Sequence, residues 1–172
     1  MGYSCSVRLL VFRHGIAEDT SADGTDASRV LTADGVRRTR KAARALARLC
    51  DPPAVILTSP KARARQTADA AAEAFGGCPM EVLEELADGP PEPALRALAR
   101  RSEETVMIVG HEPMLSELVE QVCTGSRSRG FVDLRKAGCA CLDVALGPGG
   151  EATEATLLWL ATAKMLRAAA PG

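Results

Sequence analysis

The stretch Val7-Arg8-Leu9-Leu10-Val11-Phe12-Arg13-His14-Gly15 decides how this chain is read. Val7 to Phe12 is short, apolar and rich in strand-forming side chains, the signature of a buried strand, and it ends abruptly in Arg, His and Gly. A second run has the same form: Thr105-Val106-Met107-Ile108-Val109-Gly110-His111-Glu112-Pro113. His14 and His111 are the only two histidines in 172 residues. In an open α/β sheet, ligands bind just beyond the carboxyl ends of the parallel strands. Two imidazoles at two such ends can share one crevice although about a hundred residues separate them.

Working outward, strands and helices alternate. Thr32 is placed to cap a helix over Ala33–Leu49, with Asp34 favourable in its first turn. Its apolar stripe reads Val36, Ala43, Leu46 and Leu49, and its other faces carry Arg37, Arg38, Arg40, Lys41, Arg44 and Arg48. Such a basic run is a solvated face or a docking face for an acidic partner. Asp51-Pro52-Pro53 stops the helix, and Ala54 to Thr58 reads as a second strand. Ser59-Pro60 then has the form of an N-cap followed by proline in the first helical position. That helix runs to about Phe75 and ends at Gly76-Gly77.

Met80 to Leu83 reads as a third strand, Glu84 to Pro93 as an acidic loop, and Ala94 to Arg101 as a helix. After the strand at Thr105 to Val109, a helix runs from Pro113 to about Cys123, followed by a basic loop from Gly125 to Gly130. Cys139–Leu146 and Ala155–Leu160 form a hairpin around Gly147-Pro148-Gly149-Gly150. The alternation predicts one domain over residues 1–172. Its expected form is a three-layer α/β/α sandwich, with a mostly parallel central sheet and an antiparallel edge hairpin.

Composition narrows the function. A net charge of -1 and a pI near 6.2 give no global attraction to nucleic acid or to an anionic membrane, so neither is an expected partner. Aromatic residues are only 3%, too few for base-stacking platforms. No apolar run approaches the roughly 20 residues that span a bilayer, and no signal-peptide pattern opens the chain, so a cytoplasmic location is expected. Cys5, Cys50, Cys78, Cys123, Cys139 and Cys141 are scattered without a C-x-x-C pair. They read as small buried hydrophobes in a reducing compartment, and neither a metal nor any other cofactor is expected.

Three clusters carry chemistry, each where a strand gives way to a turn or helix. In Arg13-His14-Gly15, arginine offers a fork of donors matched to phosphate oxygens, glycine lets the backbone approach a ligand, and a neutral imidazole can attack phosphorus. In Ser59-Pro60-Lys61-Ala62-Arg63-Ala64-Arg65-Gln66-Thr67, a helix start favours anions. Arg63 lies one turn in, with Gln66 and Thr67 on its face, while Arg65 points elsewhere. Gly110-His111-Glu112-Pro113 is the third. Two imidazoles and two guanidiniums suit a phosphoryl group, whose transition state spreads charge over its equatorial oxygens.

The combination resembles the histidine phosphatase superfamily, and within it the small SixA-type phosphohistidine phosphatases. The matching pieces are Val11 to Gly15, Leu31-Thr32-x-x-Gly35, Ser59-Pro60-x-x-Arg63-Ala64-x-Gln66-Thr67, Val109 to Pro113, and the tail from Leu158-Trp159 to Arg167. The resemblance implies a phosphoglycerate mutase-like fold. It also implies a phosphatase that forms a covalent phosphohistidine intermediate, with a phosphohistidine-bearing protein as substrate. By the same resemblance His14 is the nucleophile, while Arg13, Arg63 and His111, with the backbone at Gly15, hold the phosphoryl group. Arg29 matches a basic position that reaches the pocket, and Glu85, beside Glu84 and Asp88, aligns with a general-acid region.

Two alternatives stay open: a phosphatase of small esters such as sugar or nucleotide phosphates, and a non-catalytic phosphate- or phosphoprotein-binding module. Leaving-group chemistry separates the first of these. A phosphohistidine P–N bond breaks readily once its imidazole is protonated, so such a substrate needs an enzyme acid less than an alkyl ester does.

Overall fold

The structure, a computed structural model, describes residues 5–126 and 130–169. Its elements are β1 (Cys5–Arg13), α1 (Ala33–Leu49), β2 (Val55–Thr58), α2 (Ala62–Ala74), β3 (Met80–Val82), α3 (Glu92–Leu98), β4 (Thr105–Gly110), α4 (Met114–Thr124), β5 (Cys139–Leu146), β6 (Ala152–Ala161) and α5 (Ala163–Ala169). One six-stranded sheet runs in the order β3-β2-β4-β1-β5-β6. β3, β2, β4 and β1 are mutually parallel, and β5 and β6 close the edge as an antiparallel hairpin. This is an α/β architecture with the expected mostly parallel sheet and antiparallel edge hairpin.

The apolar run in β1 is continuous because both faces of the strand are covered. Val7, Leu9 and Val11 pack with Leu95 of α3 and Leu118 and Val119 of α4. Leu10 and Phe12 point the other way, onto Leu46 of α1, Ala68 of α2 and Leu166 of α5. Alternation along a strand sends successive side chains to opposite faces, so the part of β1 that lies between the two helical layers, Leu9 to Phe12, is apolar at every position, while Arg8 before it is exposed. Burying each of these large side chains stabilises the fold by about 1.5–3 kcal/mol. Cys139 and Cys141 share the α1–α5 face, as the same alternation requires, and are unbridged.

α1 has the predicted bounds and cap: the Thr32 hydroxyl accepts from the Gly35 amide at 2.8 Å. Its buried face differs from the stripe read in the sequence. Thr39, Ala42, Ala43 and Leu46 are buried, whereas Leu49 is 57% exposed. Those four positions are the i, i+3, i+4, i+7 stripe of one helix face, and its continuation falls on the half-buried Cys50.

α2 starts at Ala62, and Lys61 occupies the cap position without a side-chain bond, so Ser59 is not the cap. The acidic loop contains a 3-10 turn at Glu84–Leu86 that buries Leu86, and α3 begins at Glu92. Of the basic loop expected at 125–130, residues 127–129 lie outside the described residues. The chain beyond it is anchored by the buried Glu120, whose carboxylate accepts from the amides of Gly130 and Val132. Among the described residues, no helix is long and apolar enough to cross a membrane.

Candidate active site

Strand register builds the site. Arg13 pairs with Gly110 across β1 and β4, and Thr58 pairs with Val109 across β2 and β4. The three strands therefore end level, and the next residue of each, His14, His111 and Ser59, emerges at the same end of the sheet. The His14 amide donates to the Gly110 carbonyl at 3.2 Å, and the Ser59 amide donates to the Val109 carbonyl at 2.9 Å. The two imidazole rings lie 5.0 Å apart between centroids, tilted by 50°. Each histidine is only 7% exposed.

Hydrogen bonding fixes which nitrogen of His14 is free. Nδ1 lies 2.7 Å from the Gly15 carbonyl oxygen, which can only accept. Nδ1 therefore carries the proton, and the lone pair is on Nε2. Burial lowers the His14 pKa to about 4, with the positive charges of Arg63, Arg13 and Lys136 acting in the same direction. Burial likewise lowers His111 to about 3, joined by the charges of His14 and Arg63. Both rings are neutral at pH 7.

His111 Nε2 is 2.7 Å from Ser59 Oγ. The same hydroxyl oxygen accepts from the Lys61 amide at 3.3 Å. The Ser59–His111 pair shares one proton: either the hydroxyl donates to Nε2 and the ring proton sits on Nδ1, or Nε2–H donates to the second lone pair of Oγ. His111 Nδ1 is buried and has no partner among the described residues. A buried polar atom without a partner costs free energy.

The arginines are held from different sides. Arg13 Nη1 donates to the Leu134 carbonyl at 2.9 Å, and its buried Nε has no partner among the described residues. Arg63, 6% exposed, donates from Nη1 to the Asp26 carbonyl at 2.7 Å and from Nη2 to the Asp26 carboxylate at 3.0 Å. Asp26 also takes Lys61 Nζ at 3.0 Å and Arg29 Nη1 at 2.8 Å. Hydrogen bonds from Lys61 and Arg63 hold its carboxyl well below the usual carboxylate range. Lys61 Nζ reaches Asp88 as well, at 2.7 Å. The start of α2 is tied to the Arg-His-Gly segment through Thr67, whose hydroxyl donates to the Arg63 carbonyl and accepts from the Gly15 amide.

His14, His111, Arg13 and Arg63 thus converge, and the charge of Arg63 bears on both rings. The remaining candidates have other engagements. The Gly15 amide is taken by Thr67 and its carbonyl by His14, so neither polar group is offered to a ligand. Glycine is needed there because a Cβ would stand 2.1 Å from Thr39 Oγ1 of α1. Arg29 donates to the Glu18 carbonyl and to Asp26, one residue behind Arg63. Glu85 lies exposed on the 3-10 turn, and its carboxylate makes no hydrogen bond among the described residues.

Three residues escaped sequence reasoning. Ser59 was read as a cap and as part of a motif without a role of its own, yet strand register gives its hydroxyl to His111. Asp26 sits in a loop without periodicity, and its one signal is a position three residues before Arg29. Glu112, next to His111, is half-buried. Burial raises its carboxyl pKa, and its Oε1 accepts from the Ser116 amide at 3.1 Å. Among the described residues, no three His, Cys, Asp or Glu side chains cluster closely enough to hold a metal ion.

Residues 9–89 match the histidine phosphatase superfamily (branch 1). An uncharacterised protein of Picosynechococcus is 38% identical over 136 residues, covering 77% of this chain and 82% of its own. SixA from Agrobacterium tumefaciens superposes with a TM-score of 0.74 at 25% identity, over 90% of this chain and 96% of that one. The protein histidine phosphatase SixA complexed with tungstate superposes with a TM-score of 0.70 at 25% identity, over 92% and 98% of the two chains.

Proposed function

This chain belongs to the histidine phosphatase superfamily, and on that premise we propose that it removes phosphoryl groups from protein phosphohistidine through a phosphoenzyme formed on His14. The observation that carries the reading is the His14 tautomer: a neutral ring with Nδ1–H tied to the Gly15 carbonyl and Nε2 free in the field of Arg13 and Arg63. Nε2 attacks phosphorus. The P–N bond to the substrate imidazole breaks as that ring takes a proton from solvent. The unpartnered Arg13 Nε and His111 Nδ1, with the Arg63 fork, hold the equatorial oxygens as charge builds. Water then attacks the phosphoenzyme, inorganic phosphate leaves, and His14 returns to its neutral form.

The choice of a P–N substrate rests on the leaving group and on likeness to SixA. Glu85, the carboxylate nearest to a general-acid role by sequence, is exposed and untethered. An alkyl oxygen leaves poorly without a placed acid, whereas a histidine imidazole is basic enough to be protonated by water. The test is a comparison of kcat/KM on a phosphohistidine protein with kcat/KM on a panel of sugar, nucleotide and aryl phosphates. Preference for the phosphohistidine protein, with acid-labile label trapped on His14, is expected. Higher kcat/KM on a sugar or nucleotide ester would overturn the substrate assignment. Failure to label His14 during turnover would overturn the mechanism.

A further inference from the structure

A cavity of about 550 Å3 adjoins the phosphoryl site through Arg13 without including either histidine. Its walls carry six cations: Arg13, Arg38, Arg135, Lys136, Lys164 and Arg167. They come from four parts of the chain: the end of β1, the outer side of α1, the segment before β5, and α5. No carboxylate lines it among the described residues. Arg38 and Arg135 are paired with Asp34 and Asp133. Lys136, Lys164 and Arg167 have no ion-pair partner among the described residues. The cavity is close enough to the reacting centre for the charge of Lys136 to act on His14.

We propose that this cavity is a specificity subsite for carboxylate side chains that flank the phosphohistidine in the substrate protein. The proposal rests on the phosphohistidine reading above. Unpaired cations held in one concavity repel each other and raise the local concentration of anions. The lining also has an aliphatic part, Ile16, Ala137 and Ala163. A lining that combines cations with aliphatic side chains fits an Asp or Glu side chain, whose methylenes pack while its carboxylate pairs, better than a bare phosphate. The volume holds several side chains, as a protein substrate would supply, where a single phosphate would leave most of it empty. Arg13 links the two sites, so a flanking acid seated here aligns the phosphohistidine with His14.

The test uses two phosphohistidine peptides of equal length, one with Asp and Glu flanking the histidine and one with Asn and Gln. The variant is Lys164→Glu with Arg167→Glu, and Lys164→Gln with Arg167→Gln is a milder control for folding. The parent should favour the acidic peptide in kcat/KM by about tenfold at low salt, a preference that shrinks as salt rises. Both variants should lose that preference while keeping parental turnover of p-nitrophenyl phosphate. Fluorescence anisotropy of the same peptides without phosphate reads the cavity independently: the acidic peptide should bind the parent and lose about tenfold in affinity to the charge-reversed variant. Absence of phosphohistidine turnover, with p-nitrophenyl phosphate still hydrolysed, would bring down the functional reading and leave anisotropy to judge the cavity. Equal binding of acidic and neutral peptides, or acidic-peptide binding that survives both variants, would overturn the subsite. Preference for a small bisphosphate with none for the acidic peptide would overturn it in favour of a small-molecule polyanion site.

Discussion

Ser59 Oγ stands 2.7 Å from His111 Nε2 because β2 and β4 end in register, with Thr58 opposite Val109. When the hydroxyl donates to Nε2, the ring proton sits on Nδ1, the nitrogen then able to donate to a phosphoryl oxygen. Ser59→Ala should therefore lower kcat by about tenfold, the scale of one hydrogen bond, with a smaller change in KM. Steady-state kinetics beside a thermal melt separate the roles. A lower melting temperature with unchanged kcat would leave Ser59 as a structural residue only.

The depressed histidines make a pH prediction with a definite sign. The reactive form of His14 is neutral, and its pKa in the folded protein is about 4 rather than the ordinary value near 6.5. Phosphoenzyme formation should stay constant in its enzyme-dependent part down to about pH 5 and fall as His14 protonates near 4. Stability follows the same linkage. The unfolded chain takes protons on both histidines at a pH where the folded chain does not. Their contribution is thus present above about pH 6.5 and is lost as pH falls toward the folded values of about 4 and about 3. Single-turnover rates and melting temperatures between pH 3.5 and 8 check both parts. An acid limb centred at 6.5 would contradict the depression of the His14 pKa by burial.

Arg63 and Asp26 predict opposite changes in anion affinity. Arg63→Ala or Arg13→Ala should weaken tungstate or vanadate binding by about 1.5–3 kcal/mol, the scale for charge-assisted hydrogen bonds. Asp26→Asn keeps the backbone carbonyl that receives Arg63 Nη1 but removes a negative charge from the Nη2 side. It should tighten anion binding several-fold at low salt, by about 0.5–1 kcal/mol. Titration calorimetry in low and high salt reads both. Weaker binding by Asp26→Asn would show that its carboxylate matters more for aiming Arg63 than for competing with the anion.

Much of this site is written in the sequence because the strand ends carry it. A continuous apolar run that stops at Arg-His-Gly or Gly-His-Glu-Pro fixes both an element and its terminus, and parallel pairing does the rest. The Ser59-Pro60 pair was misleading for a physical reason: serine before proline suits a helix cap, but the same hydroxyl lies nearer to an imidazole that only the tertiary fold supplies. Asp26 shows the opposite limit. Its partners Arg63, Lys61 and Arg29 come from a helix start and a loop, and no local pattern predicts that one carboxylate will gather three cations. Glu85 was read from likeness alone, and the 3-10 turn leaves it facing solvent because Leu86 takes the inward position.

The leaving group supplies the last prediction. Two carboxylates compete for a proton-donor role: Glu85, exposed beside buried Leu86, and Glu112, half-buried next to His111 with its carboxyl raised by burial and in the field of Arg13. A true general acid replaced by its amide costs about 10²–10⁴ in rate on an alkyl ester. The same change costs little on phosphohistidine, because water protonates the departing imidazole before the P–N bond breaks. We therefore expect the parent to be slow on alkyl phosphates, quicker on aryl phosphates, and quickest on phosphohistidine. Glu85→Gln should be near neutral on all three, since its exposed carboxylate makes no hydrogen bond among the described residues. Glu112→Gln should be mild on phosphohistidine. The measurement is kcat/KM across esters of graded leaving-group pKa for the parent and both variants. A parental rate independent of leaving-group pKa, and lost in either variant, would reveal an efficient built-in acid. The substrate would then be sought among small phosphate esters rather than phosphohistidine proteins.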